Sequence, residues 1–401
     1  MNRVTAAVVL YNSEKLVPGL AETVNSFPDA VRTVVYDSGS SDKSAEAASR
    51  LISNATVIEG PNRGFGYGNN RCIETVETTY TLLLNSDAAI SPESLQALVS
   101  FMDDHPDYAG VQPLIRLWGW DKVTVSAGVF LTGYGEAWDS RFMHLELSPL
   151  KTPLQVPAVT AAVSLWRTDA LRSVDGFDES FFMYFEDADL SLRLGSSGWK
   201  LGVVRKAEAF HMVGASSTRR IASEWELASS VRLFRKYLGH GKLSFSWWKR
   251  EAKILLHSIK TGKPAVWRLP LILGELKKPV KTVDLSEEVR SVVFGEPLDY
   301  PRPRTRSSSK GPGWSGNHAA PWAGIKTRGK PVDLRLTAGE HAVTGAVSGP
   351  GGDLLTRFCI SPGKTQHVKL AETPSVVYIH CDSSSDRVEV LSLKENNAYR
   401  H

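Results

Sequence analysis

Val4–Tyr11, VTAAVVLY, is apolar at nearly every position and rich in β-branched residues. A run with no alternating polar face suits a strand buried on both sides, and it predicts the central strand of a parallel sheet. The pattern recurs in Val31–Tyr36, in the short Thr56–Glu59 and in Leu82–Leu84 of TLLLNSDA. Three of these runs break off into polar residues: Asn12-Ser13-Glu14, then Asp37-Ser38-Gly39-Ser40-Ser41-Asp42, then Asn85-Ser86-Asp87. Helical patterns over Leu16–Val24 and Lys43–Leu51 fill two of the gaps. Strand, polar loop and helix in alternation give an α/β fold whose ligands bind at the carboxyl ends of strands.

Two carboxylate groupings stand out on that scaffold. Asp87 follows a buried strand, and an oxygen-rich strand end suits a hard cation that takes one carboxylate and completes its shell with substrate phosphates. The plainer explanation is a cap on the helix that Ser91-Pro92-Glu93 opens. The second grouping is Phe181–Leu194, FFMYFEDADLSLRL, with Glu186, Asp187 and Asp189 inside four positions. Like charges so close are costly to bury unless a cation or hydrogen bonds compensate. A helix from Asp187 puts Leu190 and Leu194 on a buried face, and a solvated Asp189–Arg193 pair accounts for Asp189 but not for Glu186-Asp187. His211, in the loop-like AFHMVGASS, reads as structural or as a ligand beside such a site.

Asn62–Asn70, NRGFGYGNN, spaces its glycines G-x-G-x-G after the third strand. It is not the dinucleotide fingerprint, which argues against an NAD-dependent enzyme, and a tight loop is its commoner meaning. Further on, a helix over Pro92–Met102, a strand over Ala109–Pro113, an apolar run Val156–Trp166, a helix Thr168–Val174 and a strand Trp199–Val204 continue the pattern. Leu117–Pro149, with Trp118, Trp120, Tyr134 and Trp138, reads as irregular: an acceptor-binding insertion or a loop-rich surface.

At 401 residues, two domains are expected. Residues 232–282 hold thirteen lysines and arginines against Glu251 and Glu275, a net of +11 in a chain whose total is +4. Interleaved aromatics, with Trp247-Trp248 beside Lys249-Arg250, suit helices on an anionic membrane surface. A solvated face packed on the catalytic domain is the alternative, and nucleic acid is disfavoured. Pro297–Gly316 reads as a linker. Short alternating runs follow at Val332–Leu336, His341–Val347, Leu354–Ile360, His367–Leu370, Val376–Cys381 and Val388–Leu393, and they predict a small all-β sandwich or barrel suited to oligomerisation or glycan binding. The expected organisation is 1–230 catalytic, 231–296 basic and helical, 297–324 linker, and 325–401 all-β. Three scattered cysteines, the absence of a leader-like start and the absence of a long apolar run predict a cytosolic protein, peripheral on the inner face of the plasma membrane.

Taken in order, YN, DSGSSD, NRGFGYGNN, LNSDA, GFDESFFMYFEDADLSLR and FH resemble family 2 of the inverting nucleotide-sugar glycosyltransferases, over about residues 3–215. The GFG–NN loop with FFMYFEDADLSLR looks most like the bacterial rhamnosyltransferase branch, which builds cell-surface polysaccharides. The resemblance implies a GT-A fold, a nucleotide-binding, Rossmann-like, mostly parallel sheet. It implies Tyr11 packing on the nucleotide base, Asp37 bonding the base and Asp42 closing that loop. Gly64, Asn70, Asn85 and Asp87 fall on the donor side. Asp87 and His211 match the metal position, for Mg²⁺ or Mn²⁺, with Asn85 where the family's first metal-motif carboxylate stands. Asp187 matches the general base and Glu186 its partner. The implied reaction moves a sugar, L-rhamnose from dTDP-L-rhamnose, onto a polyprenyl-diphosphate-linked or growing glycan. A UDP-sugar donor and a non-catalytic glycan-binding protein are the alternatives.

Overall fold

The computed structural model describes residues 3–28, 31–142, 144–145, 155–212, 219–260, 265–283 and 285, then 322–326, 332–338, 342–348, 354–370, 376–381 and 388–395. The chain divides into two compact units. One is 1–115 with 126–140 and 152–298; the other is 116–125 with 141–151 and 299–401.

The first unit begins with β1 (Val4–Leu10), α1 (Val17–Asn25), β2 (Arg32–Asp37), α2 (Ser44–Leu51), β3 (Ala55–Glu59), α3 (Phe65–Thr75), β4 (Tyr80–Leu84), β5 (Ala88–Ile90) and α4 (Pro92–Asp104). β6 (Tyr108–Leu117) leads out into the insertion, where β7 (Trp120–Ser126), β8 (Val129–Leu131), β9 (Ala137–Asp139) and β10 (His144–Leu145) follow. β11 (Val163–Arg167), α5 (Thr168–Ser173), α6 (Glu186–Ser196), β12 (Lys200–His211), α7 (Arg219–Tyr237), α8 (Phe245–Lys260) and α9 (Arg268–Lys277) complete the unit.

The sheet runs β6-β11-β4-β1-β2-β3. β4, β1, β2 and β3 are parallel, and β1 is an inner strand of that set, between β4 and β2. β11 lies antiparallel to both β4 and β6, and β12 antiparallel to β5. The sheet is therefore mixed, and the expected mostly parallel arrangement holds only for its amino-terminal half. Burial on both faces reads the same in a central antiparallel strand, so the apolar run before Trp166 carried no signal of direction. Every residue of β4 is buried. α4 starts as its sequence predicts: the Ser91 side chain accepts from the Ser94 N–H, and Pro92 opens the first turn. Asp87 is not that cap.

Two other local expectations change. From Phe65 on, the glycine run is helix and not loop, because Gly66 and Gly68 give α3 close contact with its neighbours. A Cβ on Gly66 would lie 2.9 Å from Phe177 Cβ, and one on Gly68 2.9 Å from both Val9 methyls. Leu117–Pro149 is not irregular throughout, since it holds β7 to β10. β8 and β9 form a hairpin with Val129 opposite Asp139, while β10 pairs with β7.

The basic segment is largely built into the first unit. α7 runs through position 230, so the expected boundary there falls inside a helix. Arg232 pairs with Glu275 at 2.9 Å, both side chains 7% exposed. Arg235 donates to the Glu275 and Lys278 carbonyls, and Arg268 to both Glu251 oxygens. Arg250 bonds Glu136 and Glu251. Trp247, expected at a membrane interface, is fully buried and donates to the Tyr134 carbonyl, while Trp248 packs against the same apolar cluster.

In the second unit, β13 (Trp322–Lys326), β14 (Val332–Ala338), β15 (Val343–Ser348), β16 (Leu354–Ile360), β17 (Thr365–Leu370), β18 (Val376–Cys381) and β19 (Val388–Glu395) form two sheets, β13-β18-β15-β16 and β17-β14-β19. Leu334, Leu336, Val347, Phe358, Val368 and Ile379 from both sheets share one core. The small all-β module is thus a sandwich. Residues 297–321 of the expected linker lie outside the described residues, and Trp322–Gly324 belong to β13.

Candidate active site

The polar residues that end the strands gather at one rim of the sheet. Leu10 and Asp37 are register partners at the ends of β1 and β2. Asn12, at φ 49°, turns the chain after β1. Its Oδ1 accepts from the Ser41 N–H and Oγ–H. Asp37 is buried, and its two oxygens accept from the Ser40 N–H and Oγ–H, each at 2.8 Å. Asp42 accepts from the Glu14 and Ser44 N–H groups, joining the loops after β1 and β2. Tyr11 is half exposed at this rim.

After β4, the Asn85 N–H donates to the Ala162 carbonyl, and Asn85 Oδ1 is buried with no hydrogen-bond partner. Asp87 is 9% exposed. His211 Nε2 donates to Asp87 Oδ1 across 3.0 Å. His211 is not in a loop: it ends β12 and pairs with Ala88 of β5, which sets the imidazole beside a carboxylate 124 positions earlier in the chain.

Asp187 reaches the same rim from the first turn of α6. Its Oδ2 accepts from the Ala161 N–H at 3.1 Å and its Oδ1 from its neighbour Ala188 at 2.8 Å. Ala161 adjoins the Ala162 that holds Asn85, so one short segment braces both. Glu186 is buried, and its Oε2 has no partner. Burial raises both carboxyls above the ordinary range, and the charge of Asp187 adds to the rise at Glu186. Asp189 is different. Fully buried, it binds Arg193 at 2.8 Å and Lys236 at 2.6 Å and accepts from the Tyr237 hydroxyl at 2.8 Å. The expected solvated ion pair is a buried hub, with Oδ1 held by Lys236 and Tyr237 and Oδ2 by Arg193.

Three residues take on work that the sequence did not suggest. Asn70, expected at the donor, spends its amide on the turn before α6. It donates to the Phe177 carbonyl and Glu179, and it accepts from the Phe177 N–H. Gly64, at φ +108°, lies so close to Phe182 that a Cβ would come within 2.4 Å of that carbonyl oxygen. Its close approach is to protein backbone. Asp139, at the end of β9, enters the site unannounced. Its Oδ1 is buried without a partner, and burial pushes its carboxyl up to about 6, a rise that the nearby Asp187 charge adds to and His211 opposes. No periodicity marks Asp139; only the β8–β9 pairing brings it there. Gln112 also contributes, accepting from the Thr160 N–H at 3.0 Å.

Among the described residues, no three His, Cys, Asp or Glu side chains form a metal cluster. The donor set nevertheless fits a hard cation, with one carboxylate, one imidazole and the orphaned Asn85 oxygen on the same rim and the remaining positions left for phosphate oxygens.

Residues 5–159 match the family described as "Glycosyl transferase family 2". This part of the chain is a family 2 glycosyl transferase domain. The match stops ahead of Glu186 and Asp187, which the glycosyl transferase sheet nonetheless brings to its rim through Ala161. The N-acetylglucosaminyl-diphospho-decaprenol L-rhamnosyltransferase of Mycobacterium tuberculosis is 29% identical over 217 residues, 48% of this chain and 70% of the relative. Rhamnosyltransferase WbbL of Escherichia coli is 24% identical over 243 residues, 56% of this chain and 90% of the relative. Among solved structures, a mannosyltransferase of Pyrobaculum calidifontis in complex with GDP-Man and Mn²⁺ aligns with a TM-score of 0.44 at 17% identity, covering 68% of this chain and 73% of that one.

Proposed function

We propose that this glycosyltransferase is an inverting, metal-dependent rhamnosyltransferase that moves L-rhamnose from dTDP-L-rhamnose onto a polyprenyl-diphosphate-linked or growing cell-surface glycan. The observation that carries the mechanism is Asp187. It is a half-buried carboxylate held by backbone N–H groups rather than by a cation, and burial makes it more basic than a solvated aspartate. A group so held is oriented and is free to take a proton.

In this reading, an acceptor hydroxyl attacks the anomeric carbon as Asp187 takes its proton. The new glycosidic bond forms on the face opposite the breaking bond to the diphosphate, so the configuration inverts. Glu186, pushed toward its neutral form, keeps a second negative charge from crowding the base. Asp87 and His211, with Asn85 beside them, would hold Mg²⁺ or Mn²⁺, which supplies Lewis-acid neutralisation of the leaving diphosphate. Tyr11, Asp37 and Asp42 frame the nucleotide base. The names of both relatives support the sugar, and that of the Mycobacterium tuberculosis enzyme supports the lipid-linked acceptor. The acceptor in turn gives the enzyme reason to work as a peripheral protein on the cytosolic face of a membrane.

A panel of nucleotide sugars tests the reading. Binding and slow hydrolysis restricted to dTDP-L-rhamnose are expected; turnover confined to UDP-sugars would replace the donor while keeping the chemistry. Oligosaccharide binding with no nucleotide binding would remove the transferase reading altogether.

A further inference from the structure

α8 has two apolar faces. Trp247 lies on the inner one, fully buried, while Phe245, Leu256 and Ile259 lie outside, at 83%, 60% and 55% exposure. At 100° per residue, Phe245, Ala252, Leu256 and Ile259 fall within one narrow stripe. Lys249, Lys253 and Lys260, all exposed, run along one flank of it. The next helix repeats the arrangement with Leu269 and Leu273 outward, Ile272 inward and Lys277 exposed. Arg268 at the start of α9 is tied to Glu251 of α8, so the two helices are fastened together.

The charges decide what such a surface fits. Both acids of the segment, Glu251 and Glu275, are buried and paired with Arg268, Arg250, Arg232 and Lys278. The acids and most of the arginines neutralise one another inside, and the described charges left on the outer faces of α8 and α9 are lysines. Exposed apolar side chains beside a row of lysines, with no acid among them, are complementary to an anionic lipid surface: the apolar stripe enters the acyl boundary while the ammonium groups meet the headgroups. No described helix is long and apolar enough to cross a membrane. We propose that the outer face of α8 and α9 docks reversibly on an anionic lipid surface, with Phe245, Leu256 and Ile259 inserting and Lys249, Lys253 and Lys260 pairing with headgroups. This rests on, and sharpens, the peripheral-membrane part of the proposed function. It differs from a purely electrostatic account because Arg232, Arg235, Arg250 and Arg268 of the basic segment are turned inward and bonded within the protein.

The test is sedimentation of the full chain with vesicles of phosphatidylcholine alone or with added phosphatidylglycerol, at low and high salt. Binding is expected to the anionic vesicles and to weaken with salt. Replacing Lys249, Lys253 and Lys260 by Ser should weaken it on the order of a hundredfold, from about 1 kcal/mol per basic residue near the surface. Leu256→Asp with Ile259→Asp should abolish it at every salt concentration, with an unchanged melting temperature because both side chains are exposed. Equal, negligible binding to both vesicles, or binding that survives both sets of changes, overturns the proposal. So does a dimer in sedimentation equilibrium that Leu256→Asp dissolves, since a second copy would then cover the stripe. No nucleotide sugar enters this assay. Vesicle binding without sugar transfer would sink the transferase reading alone, and transfer to a soluble acceptor without vesicle binding would sink the docking face alone.

Discussion

Lys236 of α7 places its ammonium 2.6 Å from Asp189 of α6, and both side chains are essentially buried. The same ammonium holds Asp178 at 2.7 Å, so one lysine fastens two points of the segment that delivers Asp187. Removing one partner of a buried pair leaves an uncompensated charge. Lys236→Met is expected to cost about 3–5 kcal/mol, and adding Asp189→Asn should recover part of that loss. Urea unfolding of the two single variants and the double variant reads the coupling.

The pair also predicts behaviour in acid. Burial works against the Asp178 charge, but Lys236 and Ser180 bring its carboxyl down to about 2. A carboxyl depressed in the folded state adds stability above its unfolded pKa and loses it as pH falls toward the folded value. The contribution of Asp178 should therefore fade between about pH 4 and pH 2. Lys236→Met should move the acid-unfolding midpoint upward, as followed by circular dichroism; an unmoved midpoint would mean that the pair adds nothing.

Asp187→Asn should retain nucleotide binding and lose turnover by about 10²–10⁴-fold, the usual worth of a positioned base. Glu186→Gln mimics a neutral side chain and should cost no more than about tenfold on the same scale. Calorimetry with dTDP alongside initial rates separates the two. Near-normal turnover by Asp187→Asn would move the base elsewhere, and Asp189 could not replace it, being already bonded to Arg193, Lys236 and Tyr237.

Asp87→Ala should weaken dTDP binding only when Mg²⁺ or Mn²⁺ is present, and His211→Ala should do so less. Equal binding by wild-type protein in metal and in chelator would dismiss the assigned cation role.

Asp139 has the opposite pH sign to Asp178. Its carboxyl is raised to about 6, so its contribution is full at low pH and is lost as pH rises through about 6. In chelator, the wild-type melting temperature should fall between about pH 4 and pH 6, and Asp139→Asn should flatten that part of the curve. A parallel curve would mean that Asp139 is solvated in the folded protein.

How much of this was legible in the sequence depended on how local the signal was. β1, β2 and β4 were visible because each packs apolar residues on both faces, and the residues after them ended where the apolar runs ended. The Asp189–Arg193 pair was visible because it lies four positions apart on a helix. Its burial was not, because that comes from Lys236 and Tyr237, the latter 48 positions further on. The NRGFGYGNN run misled through propensity: glycine disfavours helix by about 1 kcal/mol, and contacts with Val9 and Phe177 overrode that preference. Asn70 looked like a ligand group because nothing local indicated that Phe177, 107 positions away, and Glu179 would use its amide.

The turn between β8 and β9 is gripped from two sides. Gly135, at φ +75°, sits against the α7 backbone, where a Cβ would come within 2.7 Å of the Ser230 carbonyl. From α8, Trp247 donates to the Tyr134 carbonyl, and Arg250 lies over the Tyr134 ring and bonds Glu136. Asp139 ends the strand that this turn begins. The stretch beyond residue 230, which reads in sequence as a basic, aromatic-rich helical segment, is thus a buttress for the hairpin that carries Asp139. A fragment cut before α8 is therefore expected to keep Asp87, Asp187 and His211 and yet lose the side chains that hold the β8–β9 turn.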